Sequence, residues 1–193
     1  MADEAEHQSI PGLPERYVVH RVVGAGGMGE VFEATDTTHG RRVAIKMIRR
    51  PAATEQWTAR FLREIQTVAR LNHPNIIPLF DSGIAADRPY FVMPFLDSPT
   101  LRQLLNREGP LPIERAMEIT TQIGSALAHA HAHGIIHRDV KPENVGFSSG
   151  VPVLTDFGLA GGERFDEGLT DPDMGVGTPN YASPEQLTGS LRP

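Results

Sequence analysis

The hydrophobic positions fall into two regimes along the chain. From Tyr17 to Met93 most come in short runs rich in Val, Ile and Phe; from Pro94 to His133 they recur every three or four residues. The first regime predicts strands over Tyr17–Val23, Val31–Thr35, Val43–Ile48, Ile76–Phe80 and Tyr90–Met93, because branched and aromatic side chains suit a pleated, half-buried surface. Glycine-bearing turns join the first three, which suggests an antiparallel meander. One helix interrupts the series: Trp57, Phe61, Ile65 and Val68 form a single apolar stripe, and Asn72-His73-Pro74 ends it.

The second regime is helical. Thr100-Leu-Arg-Gln103 has the spacing of a capping box, and its helix stops at Gly109-Pro110. A longer helix is predicted from Pro112 to His133, with Ala116, Ile119, Ile123, Leu127 and Ala130 on one side and Gly134 as its stop. Residues 135–193 read as loop-rich, punctuated by Pro142, Pro152, Pro172, Pro179 and Pro184. Residues 1–16 carry acidic, proline and glycine residues without apolar period and are expected to form a flexible acidic tail. The expected organisation is a sheet-rich half over 17–93, a hinge at 94–98 and a helical half over 99–193.

Composition narrows the chemistry. With 39% hydrophobic and 22% charged residues the chain suits a soluble globular fold. A net charge of -6 argues against nucleic-acid binding, which needs a concentrated basic face. The absence of cysteine excludes disulfides, thiolate zinc sites and cysteine nucleophiles. No apolar run has the length of a membrane span and no signal pattern opens the chain, so a cytoplasmic protein is expected.

Gly24-Ala-Gly26-Gly-Met-Gly29 fits G-x-G-x-x-G. A dinucleotide-binding turn would need a helix next, and a Walker loop would need Lys then Ser or Thr after the last glycine. The chain instead continues Glu30-Val31-Phe-Glu-Ala, which is strand-like. A glycine loop between two antiparallel strands can lay bare backbone N–H groups over phosphate oxygens. On the third strand, Val43-Ala44-Ile45-Lys46 turns Ala44 and Lys46 to the same face. Lys46 could reach phosphate while Ala44 leaves room for a base. Glu64, beside the apolar stripe of the helix, is the candidate partner for Lys46; a surface pairing with Arg60 or Arg63 is the plainer alternative.

Three further segments follow in order: His137-Arg-Asp139-Val-Lys141-Pro-Glu-Asn144, then Asp156-Phe157-Gly158, then Gly177-Thr178-Pro-Asn-Tyr181-Ala-Ser-Pro184-Glu185. With the glycine loop and the Val-Ala-Ile-Lys strand, they resemble the protein kinase family. The wording Gly-Gly-Met-Gly-Glu-Val and His-Arg-Asp-Val-Lys-Pro-Glu-Asn is similar to its bacterial Ser/Thr branch.

The resemblance implies an α+β, two-lobed fold, with a five-stranded antiparallel N-lobe plus helix and a helical C-lobe. It implies transfer of the ATP γ-phosphate to Ser or Thr hydroxyls of a protein, with Mg²⁺. Asp139 would orient the acceptor hydroxyl and take its proton, and Lys141 would offset charge at the γ-phosphate. Asn144 and Asp156 would hold Mg²⁺ through oxygen. Gly24, Gly26, Gly29, Val31, Ala44, Lys46, Met93, Pro94 and Leu96 would line the nucleotide site, the base being read by the Pro94 carbonyl and the Leu96 N–H. Lys46, Asp139, Asn144 and Asp156 would thus surround one magnesium-bound triphosphate. Val68, Leu79, His137 and Phe157 match a stacked apolar spine. Thr170 is the expected phosphosite, including by autophosphorylation, and Thr178 would hydrogen-bond Asp139.

Two departures stand out. Gly146 occupies a position where the family has Leu or Ile under the adenine, so weaker ATP binding is expected, with Gly146→Leu as a gain. The sequence also ends eight residues past Glu185, before the family's later helices. An incomplete C-lobe is therefore expected, with one apolar side of the 112–133 helix exposed. A catalytically impaired nucleotide-binding or regulatory kinase fragment is the alternative. A separate metal reading rests on His129 and His133, which share a helix face at i, i+4 with His131 between them; no helical carboxylate joins them, and the H-E-x-x-H pattern is absent.

Overall fold

The computed structural model describes residues 10–27, 29–49, 55–157 and 179–184. Contacts divide the chain into two compact units, one of Met1–Ala69 with Pro78–Phe95 and one of Arg70–Ile77 with Leu96–Pro193.

The first unit is built on five antiparallel strands: β1 (Tyr17–Gly26), β2 (Gly29–Asp36), β3 (Arg41–Ile48), β4 (Asp81–Ala85) and β5 (Arg88–Pro94), in the order β1-β2-β3-β5-β4. Alternation along the strands sorts the side chains. Tyr17, Val19, Phe32, Ala34, Val43, Ile45, Met47, Ala85, Tyr90 and Val92 make one buried cluster. Ala44, Lys46, Phe91 and Met93 have the opposite parity and are also buried. Helix α1 (Glu55–Val68) adds Phe61, Ile65 and Val68 to the core. The side chain of Trp57 lies outside the described residues. Arg16 and Tyr17 both bond Asp81, Tyr17 Oη donating to its Oδ2 at 2.8 Å, which fastens the start of β1 to β4.

The fourth strand lies later than the sequence pattern predicts. Ile76 and Ile77 are buried in the second unit, where the Ile77 N–H donates to the Leu154 carbonyl at 3.1 Å and the Leu154 N–H to the Asn75 carbonyl at 2.8 Å. The apolar run marks that packing, and the edge strand of the sheet is the more polar Asp81–Ala85.

The second unit holds α2 (Leu101–Glu108) and α3 (Ile113–Ala132). Thr100 Oγ1 accepts the Gln103 N–H at 3.3 Å, and the Gln103 side chain accepts the Thr100 N–H at 2.8 Å, completing the capping box. Ile119, Ile123, Ala126 and Ala130 form the buried stripe of α3, while Ile113 and Met117 are exposed. Within the stretch 135–193, expected to be loop-rich, lies a two-stranded sheet that the pattern does not predict: β6 (Val145–Ser148) and β7 (Val151–Leu154). Its loop is Ser149-Gly150, both at positive φ (49° and 82°), the geometry of a tight type I′ hairpin. A Ser-Gly pair between two apolar runs was the available signal. Asn75, buried, ties the 70–77 segment to this sheet by donating to the Pro152 carbonyl (2.8 Å) and to Gln122 of α3 (3.0 Å).

Candidate active site

In the first unit the strand register assembles the predicted nucleotide residues. Gly24 pairs with Val31, Val31 with Lys46, and Lys46 with Phe91. The next row sets Glu33 against Ala44 and Ala44 against Met93. Directly paired residues share a face, so Val31, Ala44, Lys46 and Met93 point the same way. Lys46 is 8% exposed, an unusual setting for an ammonium group. Lys46 and Glu64, on β3 and α1 of the same unit, both interact with other groups.

The glycines divide by cause. Gly29 has φ +140°, and a Cβ there would collide with the Met47 carbonyl, so the hairpin itself demands glycine. Gly26 has neither constraint: among the described residues nothing lies within 4 Å of where its Cβ would be. Gly24 meets only the Val31 side chain, at 3.9 Å. Glycine at 24 and 26 is therefore not a packing requirement, which fits backbone left bare for a ligand.

In the second unit the site is a hydrogen-bonded knot around Asp139. The Asp139 N–H donates to His137 Nδ1 at 3.2 Å. His137 Nε2 therefore carries the ring proton and donates to the Thr155 carbonyl at 2.8 Å. Asn144 Nδ2 donates to both the carbonyl (2.7 Å) and Oδ2 (2.9 Å) of Asp139. Lys141 Nζ stands 2.8 Å from the same Oδ2. The 3-10 turn Pro142–Asn144 leads straight into β6, and β7 leads into Thr155-Asp156-Phe157. Thr155 donates its N–H (2.9 Å) and its hydroxyl (3.2 Å) to the Asn144 carbonyl. The β6–β7 hairpin thus brings Asp156 alongside Asn144, although 12 positions separate them in sequence. His137 also lies against Phe157, ring centroids 4.7 Å apart.

Electrostatics follow from this packing. Burial lowers the pKa of His137, outweighing the Thr155 carbonyl and the charges of Asp156 and Asp139, which favour the protonated ring. The neutral tautomer drawn above is the consistent state. Arg138 (φ 66°) and Asp156 (φ 58°) sit in the left-handed region that non-glycine residues rarely occupy, at a cost of about 1–2 kcal/mol each. Such strain gathers where surrounding structure holds side chains in a required direction.

As a cation site, the pair Asn144 and Asp156 has suitable donors. The Asn144 amide spends its N–H groups on Asp139, so its contribution to a metal would be oxygen, as is that of the Asp156 carboxylate. Hard oxygen donors suit Mg²⁺. The histidine metal reading fares worse. His129 and His133 do stack (4.5 Å), and His73 joins them (5.3 Å from His129). But His73 Nδ1 accepts the Asn75 N–H and its Nε2 bonds Ser125, so both nitrogens are engaged. No cluster of metal-binding side chains of the His, Cys, Asp and Glu type occurs among the described residues.

Two residues of the site, Thr155 and Arg102, were not anticipated, and neither was the contact that the expected residue Leu96 makes. Thr155 is the hub joining His137 to Asn144. Arg102 of α2 donates Nε to Glu143 at 2.8 Å and also bonds the Tyr181 hydroxyl, linking the 137–144 loop to the 179–181 turn. Leu96 lies against Gly146. Thr155 carried the one usable signal, its place just before Asp156-Phe157-Gly158. Gly158, Thr170, Gly177, Thr178 and Glu185 lie outside the described residues.

Comparison with known proteins agrees with this arrangement. Residues 17–192 match the protein kinase domain family. The chain is 44% identical over 176 residues to the serine/threonine-protein kinase PknD of Mycobacterium tuberculosis, covering 90% of this chain and 26% of PknD. It is 40% identical over 178 residues to the serine/threonine-protein kinase PrkC of Bacillus subtilis, covering 91% of this chain and 27% of PrkC. The chain therefore spans little more than a quarter of either relative. Among solved structures, a double mutant of the M. tuberculosis PknI kinase domain superposes with a TM-score of 0.75 at 28% identity, covering 100% of this chain and 70% of that one.

Proposed function

Because the chain belongs to the protein kinase domain family, of the bacterial Ser/Thr type, we propose that it binds ATP and transfers the γ-phosphate to Ser or Thr hydroxyls of a protein. The observation that carries this reading is the Asp139 knot: one carboxylate held by Asn144, flanked by Lys141, with its backbone pinned by a neutral His137. Phosphoryl transfer needs positioning and charge neutralisation more than covalent chemistry.

Asp139 orients the acceptor hydroxyl and receives its proton as the oxygen attacks phosphorus. Asn144 fixes the direction of that carboxylate. Lys141, already beside Asp139, offsets negative charge growing on the transferred phosphoryl group. Lys46 is assigned to the α- and β-phosphates with Glu64 as its acidic partner. Backbone N–H groups at Gly24, Gly26 and Gly29 cover the phosphates, and Val31, Ala44 and Met93 contact the base, with its polar edge at Pro94 and Leu96. Asn144 and Asp156 would hold Mg²⁺, whose chemistry when bound is to neutralise the triphosphate. Thr170 is the proposed site of autophosphorylation.

The test is transfer of labelled phosphate from ATP to a serine- and threonine-rich protein and to the chain itself. Transfer is expected, and Asp139→Asn should lower it by roughly 10²–10⁴-fold. Nucleotide binding without any transfer by the unaltered chain would exclude the enzyme reading and leave a nucleotide-binding regulatory role.

A further inference from the structure

Gly146 is buried on β6, yet its backbone does not call for glycine, since its φ lies outside the left-handed region. The neighbour that takes up the space beside it is Leu96. A Cβ at 146 would collide with Leu96 Cδ1, while the next atoms, Leu96 Cγ and Thr155 Cγ2, are each 3.9 Å away. The isobutyl group of Leu96 therefore occupies the volume that a side chain at 146 would fill. This contact, within the second unit, joins Leu96 to the strand that follows Asn144 and brings it near the residue that precedes Asp156.

We propose that Leu96 supplies the apolar platform for the base of the bound nucleotide, replacing the side chain absent at Gly146. The proposal rests on the ATP-binding reading above. If Asn144 and Asp156 take the metal on the phosphates, Gly146 lies two strand residues further on, about 7 Å, the span from a nucleotide's inner phosphates to its base. A flat base gains from aliphatic contact on its face. Leu96 provides that contact from the same residue whose N–H is assigned to the base edge, so edge and face recognition are concentrated on one residue. The expectation that Gly146→Leu improves binding is thereby reversed: the new side chain would evict Leu96 from its place.

Calorimetric titration with magnesium and a non-hydrolysable ATP analogue, and separately with tripolyphosphate, tests this on four chains: unaltered, Leu96→Ala, Gly146→Leu and the double variant, each checked for folding by thermal melt. Each single change should weaken analogue binding roughly five- to tenfold and leave tripolyphosphate binding unchanged. The double variant should return to within about threefold of the unaltered chain, since neighbours that compete for one volume are non-additive. Analogue binding unaffected by Leu96→Ala, or losses that simply multiply in the double variant, would overturn the proposal. An unaltered chain that binds neither probe would sink the ATP-binding reading and this inference with it. If Gly146→Leu does not fold, the contrast between the two probes in Leu96→Ala decides alone.

Discussion

At the scale of single residues, His137 shows how one buried side chain organises a site without touching a substrate. Both ring nitrogens are committed to the backbone, one accepting from Asp139 and one donating to Thr155, and the ring face rests on Phe157. His137→Phe would keep an aromatic ring but strand the part-buried Asp139 N–H and Thr155 carbonyl. Each stranded group costs about 1–3 kcal/mol, so urea unfolding should show a loss of roughly 2–5 kcal/mol. A midpoint shift near zero would mean that water replaces both bonds. Sequence alone marked His137 as part of a motif. That its role is to pin the Asp139 backbone required Thr155, 18 positions away, to be seen beneath it.

At the scale of elements, the β1–β2 hairpin and the β6–β7 hairpin do comparable work. Each uses antiparallel register to bring distant residues side by side: Gly24, Val31 and Lys46 in one row, Asn144 and Thr155 in the other unit. The first hairpin was legible because its glycines, alternation and Val-Ala-Ile-Lys segment agree. The second was missed because its strands have only four residues each, too short for a periodic signal to outweigh the surrounding prolines. The glycines of the first hairpin yield a paired expectation. Gly29→Ala, forced against the Met47 carbonyl, should lower stability by about 2 kcal/mol or more. Gly26→Ala should leave stability within about 0.5 kcal/mol while weakening nucleotide binding. Equal stability losses for the two in chemical denaturation would contradict this division.

At the scale of the whole molecule, buried titratable groups set a window of stability. His137 is lowered by burial, and His73 by burial and the proximity of His129. Below about pH 6.5 the unfolded chain takes up protons that these folded rings refuse, so stability is lost as pH falls through that range. Glu33, held below the usual carboxylate range by hydrogen bonds from Arg42, adds stability that is lost further down, as pH drops through about 4.5. On the alkaline side, burial, with help from Asp81, raises Tyr17 from 10.0 to about 12. Its contribution is full below pH 10 and disappears as pH rises from there towards 12. Denaturation midpoints at pH 5, 7.5 and 11 should therefore peak at the middle value; a midpoint at pH 5 equal to that at 7.5 would show that the two rings titrate normally.

The order and identity of the chemical groups were written in the sequence: the glycine loop, Lys46, Asp139, Lys141, Asn144 and Asp156 stand in readable segments, because the phosphate, metal and proton chemistry proposed for them would each need particular atoms. The main helices and most of the sheet were written there too, through apolar period and capping. Tertiary structure alone decided which groups meet. It sent Ile76 and Ile77 to β7 instead of the large sheet, tied the ring nitrogens of His73 to Asn75 and Ser125, and filled the space above Gly146 with Leu96. Those outcomes depend on volume and hydrogen-bond competition between residues far apart in the chain, and periodicity records only the relation of a residue to its near neighbours.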